Sequence, residues 1–370
     1  MDVITLFAFS ASLCHTYFLA FLISGFIKQK RQDSTNRKNH LSGSVVVAAR
    51  NEEHTIKNLL EALANQRNGS TPVQFVMVND RSSDGTGDIL ERYARKRKNM
   101  RVIHIETVPS RISPKKHALQ KGIAGAEGEI ILTTDADCQP SPSWIETTCT
   151  RFTPEVGVVA GLAPLHPSKS WLSKLICLEN LASNLVAAGT TGWQVAVTCT
   201  GRNLAFRKVV YEEVGGYKDH IHSISGDDDL FLQNVARKTS WKIIFNVQLG
   251  SAVFSKAPIR ISDYIRQRRR HVSASKYYPR HLQAAFFIFE LANLALFGFL
   301  IRGLIHTTYL LWAFIIFTLK LSLEFWGLYL VAKRVNQKRL LWHFPIWQIF
   351  HLANQWMISP LGLVGKIKWK

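Results

Sequence analysis

Acidic residues are scarce in this chain: 26 Asp and Glu stand against 46 Lys and Arg in 370 residues, a formal charge of +20. Cysteine is scarcer still, with Cys14, Cys138, Cys149, Cys177 and Cys199 scattered and no CxxC pair among them. That number and spacing exclude a zinc ribbon, argue against a disulfide framework and favour a reducing compartment. Charged residues of both signs reach only 19%, whereas apolar types make up 47%, which excludes a disordered polyelectrolyte. No helix-turn-helix or zinc spacing accompanies the basic excess, so no nucleic-acid partner is expected. Charge and apolarity must be segregated along the chain, and the length allows two or three units, one of them a membrane anchor.

Residues 3–27 hold no Asp, Glu, Lys or Arg. A bilayer core of about 30 Å needs about 20 helical residues, so this stretch can span. A signal peptide carries positive charge before a shorter apolar run, but here Asp2 precedes the run and Lys28, Lys30 and Arg31 follow it. Residues 1–27 read as an uncleaved anchor with a cytosolic C-terminal end, followed by a basic linker at 28–43. Two further apolar runs, 282–301 and 303–332, read as a transmembrane hairpin over 282–332. Arg266 to Arg280 before it and Lys333 to Arg339 after it put both flanks in the cytosol. Residues 333–370 are expected to form a basic loop and a re-entrant or interfacial segment at 341–364, because a full crossing would carry Lys366, Lys368 and Lys370 outside. Lys320 and Glu324, four apart in the hairpin, can pair, and Glu290 could join them; a structural polar lock is preferred to a transport path. The expectation is an integral membrane protein, of the bacterial inner-membrane kind, with a cytosolic catalytic domain.

Between the apolar ends, strand-length apolar runs alternate with helical patterns. Strands are predicted at 44–49, 73–78, 102–106 and 129–135, and helices at 51–66, 86–96 and 115–126. Nearly all-apolar strands alternating with helices describe a parallel sheet covered on both faces, with ligands at the carboxyl ends of the strands. Those ends are polar: Arg50-Asn51-Glu52-Glu53, then Asn79-Asp80-Arg81-Ser82-Ser83-Asp84-Gly85-Thr86, then Asp135-Ala136-Asp137. Each piece alone is ordinary capping or turn chemistry. Their convergence on one sheet edge, with no cation in sequence to neutralise the carboxylates, calls for a divalent metal. Asp135 and Asp137 alternate to one side of an extended segment, and paired hard oxygen ligands suit Mg²⁺ or Mn²⁺.

In order along the chain, VVVAARNEEHTI, VNDRSSDGT, KKHAL, IILTTDADCQP, TGRNLAFRK with VGGY, SGDDDL and QRRRH resemble the membrane-associated glycosyltransferases of family 2, which include ceramide glucosyltransferases and polysaccharide synthases. The match covers about residues 44–275. It implies an α/β GT-A domain with a Rossmann-like mixed sheet at 44–255, a basic interfacial segment at 256–281, flanking transmembrane helices, and inverting transfer of a sugar from a nucleotide-sugar, commonly a UDP-sugar. By similarity, Asn51, Glu52 and Asp80 would hold the uridine and Lys115 would sit near the nucleotide. Asp137 would bind the metal, with Asp135 close to the nucleotide. Matching SGDDDL without a gap puts the base at Asp228, and a one-residue shift would put it at Asp227 or Asp229. The family's QxxRW motif appears with Gln267 and Arg270 retained and His271 in place of tryptophan, which alters the acceptor side of the site. Asn203 and Gly215-Gly216 are expected to shape that side, on resemblance. The expected partners are a nucleotide-sugar donor, a lipid or lipid-linked acceptor and the membrane. A processive polysaccharide synthase is the alternative among enzymes, and an inactive membrane scaffold is the alternative outside them.

Overall fold

A computed structural model describes residues 3–32, 41–67, 69 and 71–365. Residues 33–40, half of the expected basic linker, and Lys366, Lys368 and Lys370 lie outside these residues. The chain begins with helix α1 (Val3–Gln32) and then alternates β1 (Gly43–Ala49), α2 (Ile56–Ala64), β2 (Val73–Asp80), α3 (Thr86–Ala94), β3 (Met100–Ile105), α4 (Pro114–Ala124) and β4 (Ile130–Thr133). Next come β5 (Gln139–Pro140), α5 (Trp144–Cys149), β6 (Val156–Gly161), β7 (Leu165–His166) and the long α6 (Trp171–Gly192). They are followed by β8 (Leu204–Arg207), α7 (Lys208–Glu213), α8 (Asp229–Lys238), β9 (Lys242–Asn246) and β10 (Val253–Lys256). Helices α9 (Ile261–Ser273), α10 (Arg280–Ile305), α11 (Leu310–Arg334) and α12 (Phe344–Ala353) complete it.

Seven strands form one mixed sheet in the order β3-β2-β1-β4-β8-β6-β9, with β8 antiparallel to both neighbours and the other pairs parallel. Side chains alternate across it. Val45 and Val47 join Phe75, Met77, Ile130 and Leu132 under α2 and α5, and Val46 joins Val76 and Ile131 under α4, α6 and α8. Helix α2 buries Ile56, Leu59, Leu60 and Leu63, one stripe at helical spacing. The expected helix over 51–66 begins only at Ile56, because Asn51 takes a left-handed backbone conformation (φ 53°) and ends the strand in a loop.

Helices α1, α10 and α11 are long and apolar enough to cross a membrane. Their outer faces leave Phe287, Ile301, Leu311, Trp312 and Phe314 exposed. Helix α1 lies directly on α6: a Cβ on Gly25 would sit 1.9 Å from the Gly189 carbonyl oxygen, so only glycine admits this backbone contact. Lys320 pairs with Glu324 at 2.9 Å. Gln348 of α12, rather than Glu290, completes the lock, accepting from Lys320 at 2.6 Å and donating to Glu324 at 2.7 Å. After α12 the chain continues as one widened turn (Asn354–Ile358) and a tight turn (Ser359–Leu363) packed under α9.

Candidate active site

The sheet order reverses between β1 and β4, the switch point outside whose strand carboxyl ends an open α/β sheet places its ligand crevice. Its floor is a ledge made by two loops bonded to each other. Asn51 donates its backbone N–H to Ser82 Oγ (3.1 Å) and accepts from the Ser83 N–H on Oδ1 (2.9 Å). Glu52 N–H donates to Thr86 Oγ1 (2.8 Å), Glu53 N–H donates to Asp84 Oδ2 (3.1 Å), and Gly85 N–H donates to Glu53 Oε2 (2.8 Å). The Glu52 carboxylate accepts from Thr55 Oγ1 at 2.6 Å. Asp80 is buried at the end of β2 and ion-paired with Arg81, 2.8 Å from Nε to Oδ1. The like-placed residues Asn51 and Arg81 share φ 53°, which turns both loops the same way.

Above the ledge, Lys115 in the first turn of α4 bridges two acids, with Nζ 3.0 Å from Asp135 Oδ1 and 2.9 Å from Asp227 Oδ2. Burial works to lower the Lys115 pKa, but Asp135, Asp227 and Asp228 outweigh it and raise it above the ordinary lysine value. Burial of Asp135 is likewise outweighed, by Lys115, Arg202 and Arg270, so its carboxyl is held below the usual range. Lys115 therefore ties the end of β4 to the loop ahead of α8.

The acidic triplet divides its duties. Asp227 is buried and paired with Lys115. Asp229 is buried and accepts from the Leu230 N–H at 2.8 Å and from the Tyr278 hydroxyl. Asp228, half-buried, is the N-cap of α8; its Oδ2 accepts from the Gly201 N–H and its Oδ1 from the Asp229 N–H, both at 2.8 Å. Burial, then Asp227, raise the Asp228 pKa above 3.8, although Lys115 pulls the other way. Two lone-pair positions on its oxygens still remain for a proton.

Cations close the crevice. Arg202 is held by Ala163 O (3.0 Å) and by the Ser255 hydroxyl, and with Arg270 it acts on Asp135. Gln267, Arg270 and His271 share one face of α9. His271 is exposed, and the cations around it, Arg270, Arg202, Arg268 and Lys115, hold its imidazole below the ordinary histidine pKa. At neutral pH the ring is uncharged and both donates and accepts. Behind this face, Arg268 holds Ser359 Oγ (3.0 Å) and Gln355 Oε1 (3.2 Å), and Arg269 holds Leu361 O (3.0 Å).

Asp137 is exposed just past β4, beside the still-ionised Asp135. Among the described residues no three acids, histidines or cysteines gather into a closed metal cage. One accessible carboxylate with an acidic neighbour fits an ion of the Mg²⁺ or Mn²⁺ type, which takes one or two protein carboxylates and fills its remaining positions from phosphate and water.

Residues 130–359 match the family described as Glycosyl transferase family group 2, and residues 44–215 match Glycosyl transferase family 2. The chain belongs to glycosyl transferase family 2. This family 2 member is 26% identical over 258 residues to YdaM of Bacillus subtilis (strain 168), described as a probable glycosyltransferase; the match covers 68% of this chain and 59% of that one. It is 24% identical over 187 residues to the glycosyltransferase AglE of Haloferax volcanii, covering 50% of this chain and 58% of that one. The chain thus spans about six tenths of the length of these relatives. In fold it is similar to the mannosyltransferase PcManGT of Pyrobaculum calidifontis, solved with GDP-Man and Mn²⁺: TM-score 0.54, 17% identity, 94% of this chain and 99% of that one covered. The α/β domain has the GT-A fold.

In this family 2 member, Lys115, Asp135, Arg270 and His271 meet the acidic triplet at one place. Asn203 does not face it. Its Oδ1 accepts from Trp144 Nε1 (2.9 Å) and its Nδ2 donates to Leu162 O and Ser251 O (both 2.8 Å), so its amide is fully occupied inside the core. Arg202, the residue before it, reaches the crevice instead, and its sequence signal was its place in the same TGRNLAFRK run. Gly215 and Gly216 form a left-handed turn whose second glycine lies against the Tyr211 ring, away from the triplet's contacts. Tyr278 was not foreseen; 49 residues separate it from Asp229 and only tertiary structure joins them.

Proposed function

We propose that this chain moves a sugar from a nucleotide-sugar, a UDP-sugar by the family resemblance, to a hydroxyl or phosphate of a membrane lipid or lipid-linked acceptor, with inversion at the anomeric carbon. The observation that carries the reading is the unequal placement of the three acids: Asp227 and Asp229 are buried in tight pairings, whereas Asp228 keeps partial exposure.

Asp228 is the base. It takes the acceptor hydroxyl's proton as the oxygen attacks the sugar carbon from the face opposite the departing nucleoside diphosphate. Lys115, Arg202 and Arg270 supply positive charge where the diphosphate oxygens gain negative charge. Asn51, Glu52 and Asp80 on the ledge hold the nucleoside. Asp137, with phosphate oxygens, would hold a Mg²⁺ or Mn²⁺, whose charge when bound stabilises the leaving diphosphate. Gln267 and His271 on α9 meet the acceptor; a neutral imidazole offers hydrogen bonds where tryptophan offers a stacking face. The apolar α10 follows α9 almost directly, so an acceptor with a lipid tail can lie in the bilayer with its polar end at the crevice.

Membranes carrying the protein, incubated with labelled UDP- and GDP-sugars, test the reading. A single lipid-extractable product is expected. A ladder of high-mass product would establish a polymerase in its place, and no transfer from any donor would leave a scaffold.

A further inference from the structure

Lys116 follows Lys115 in α4, and nothing in the reaction scheme above uses it. Its side chain is wholly buried, and Nζ donates to three carbonyls of one short segment: His220 O (2.5 Å), Ser223 O (3.0 Å) and Ser225 O (2.9 Å). An ammonium has three N–H donors, so all three are satisfied by backbone and none by a carboxylate. The same segment is bonded to the approach to α4, with the Ser113 N–H donating to Ile221 O at 2.8 Å and His222 Nδ1 meeting Arg111 O. It then passes through Gly226, at φ +85°, straight into Asp227, Asp228 and Asp229. A Cβ on Gly226 would lie 2.4 Å from Leu230 Cδ1, so the corner is closely defined.

Two successive lysines thus grip the two halves of one loop. Lys115 takes a side chain, Asp227, and Lys116 takes the backbone just upstream. We infer that Lys116 is a positioning residue, fixing segment 220–226 so that Asp228 is presented to the crevice in register with Gly201 and Lys115. This inference rests on the assignment of Asp228 as the base. The environment of Lys116 agrees with the role: burial lowers its pKa to about 8 against the pull of Asp227, Asp229 and Asp228, with Lys115 adding to the lowering. A cation is kept in an enclosed pocket because three carbonyl dipoles need it there. Displacing a reacting group by about 1 Å can reduce turnover about 10²-fold, which is the scale of effect at stake.

The test uses the full chain in detergent, with K116M removing the donors and K116Q keeping two N–H donors. Amide hydrogen exchange over 220–229 is read first, because it needs no donor sugar. Slow exchange in the wild-type protein and at least tenfold faster exchange in K116M, confined to this segment, are expected. Turnover of UDP-glucose, UDP-N-acetylglucosamine or GDP-mannose is then read as nucleoside diphosphate release with membrane lipid extract. In K116M, kcat should fall about 10²-fold with donor KM changed less than threefold, and K116Q should recover at least tenfold of that loss. Unchanged exchange in K116M, or kcat within threefold of wild type while D228N is inactive, would overturn the inference. Activity retained in D228N would instead defeat the assignment of the base, and the exchange result would then decide Lys116 alone.

Discussion

The chemistry of the crevice turns on what surrounds each carboxylate. Asp227, Asp228 and Asp229 are identical in type and adjacent, yet Lys115 neutralises the first, Tyr278 and the start of α8 hold the third in a buried site, and the middle one stays half-exposed; burial raises the pKa of Asp228 and Asp229 alike. A base must be deprotonated to act, so kcat/KM should fall on the acid side through an apparent pKa above the ordinary 3.8 of aspartate. A limb at or below that value, measured by a pH–rate profile, would contradict the assignment. Lys115 pulls the Asp228 pKa down, so Lys115→Met should move the acid limb to higher pH; a shift to lower pH would mean that Asp228 does not feel Lys115. The triplet, Lys115 and the strand-end acids were legible because clustered charge is visible in sequence. Asn203 was misplaced because an amide's partners are tertiary: nothing adjacent to it tells of Trp144 or Ser251.

At the scale of elements, α9 is the part whose placement matters most, since one face carries Gln267, Arg270 and His271. Its other side is fixed by a buried network. Glu179 of α6 accepts from Trp347 Nε1 (3.1 Å), His351 Nδ1 (2.9 Å) and Asn354 Nδ2 (2.8 Å), and Asn354 in turn accepts from the Tyr264 hydroxyl of α9 (2.9 Å). Removing the carboxylate strands three polar groups, so Glu179→Ala should destabilise the fold by about 3–5 kcal/mol in denaturant unfolding of the detergent-solubilised protein. A change below about 1 kcal/mol, within the ordinary surface range, would show that the network does not hold α9. Strands β1 to β4 and the helices between them were legible from apolar periodicity. The start of α2 was not, because periodicity reports which face is buried and Asn51 ends the strand through its backbone angle. The network of Glu179 was hidden too, since its members lie on α6, α9, α12 and the turn after α12 and share no local pattern.

Over the whole molecule, a mixed sheet gathers the polar ends of its strands at one switch point, and three helices long and apolar enough to cross a membrane pack beside it. The long apolar runs made those helices legible. The direct backbone contact of α1 on α6, through Gly25 and Gly189, was not, because single glycines carry no direction in sequence. If Asp137 holds the divalent ion, chelation with EDTA should reduce turnover at least tenfold and Mn²⁺ should restore it, whereas indifference to chelation would remove the ion from the scheme. The most direct test of the central claim, that the acids at the sheet edge carry out sugar transfer, is turnover of a UDP- and GDP-sugar panel by the wild-type chain and by Asp228→Asn, each with and without Mn²⁺. The account predicts one donor turned over by the wild type with Mn²⁺, and a loss of at least 10²-fold in the variant. Equal turnover by the two proteins, under either condition, would contradict it.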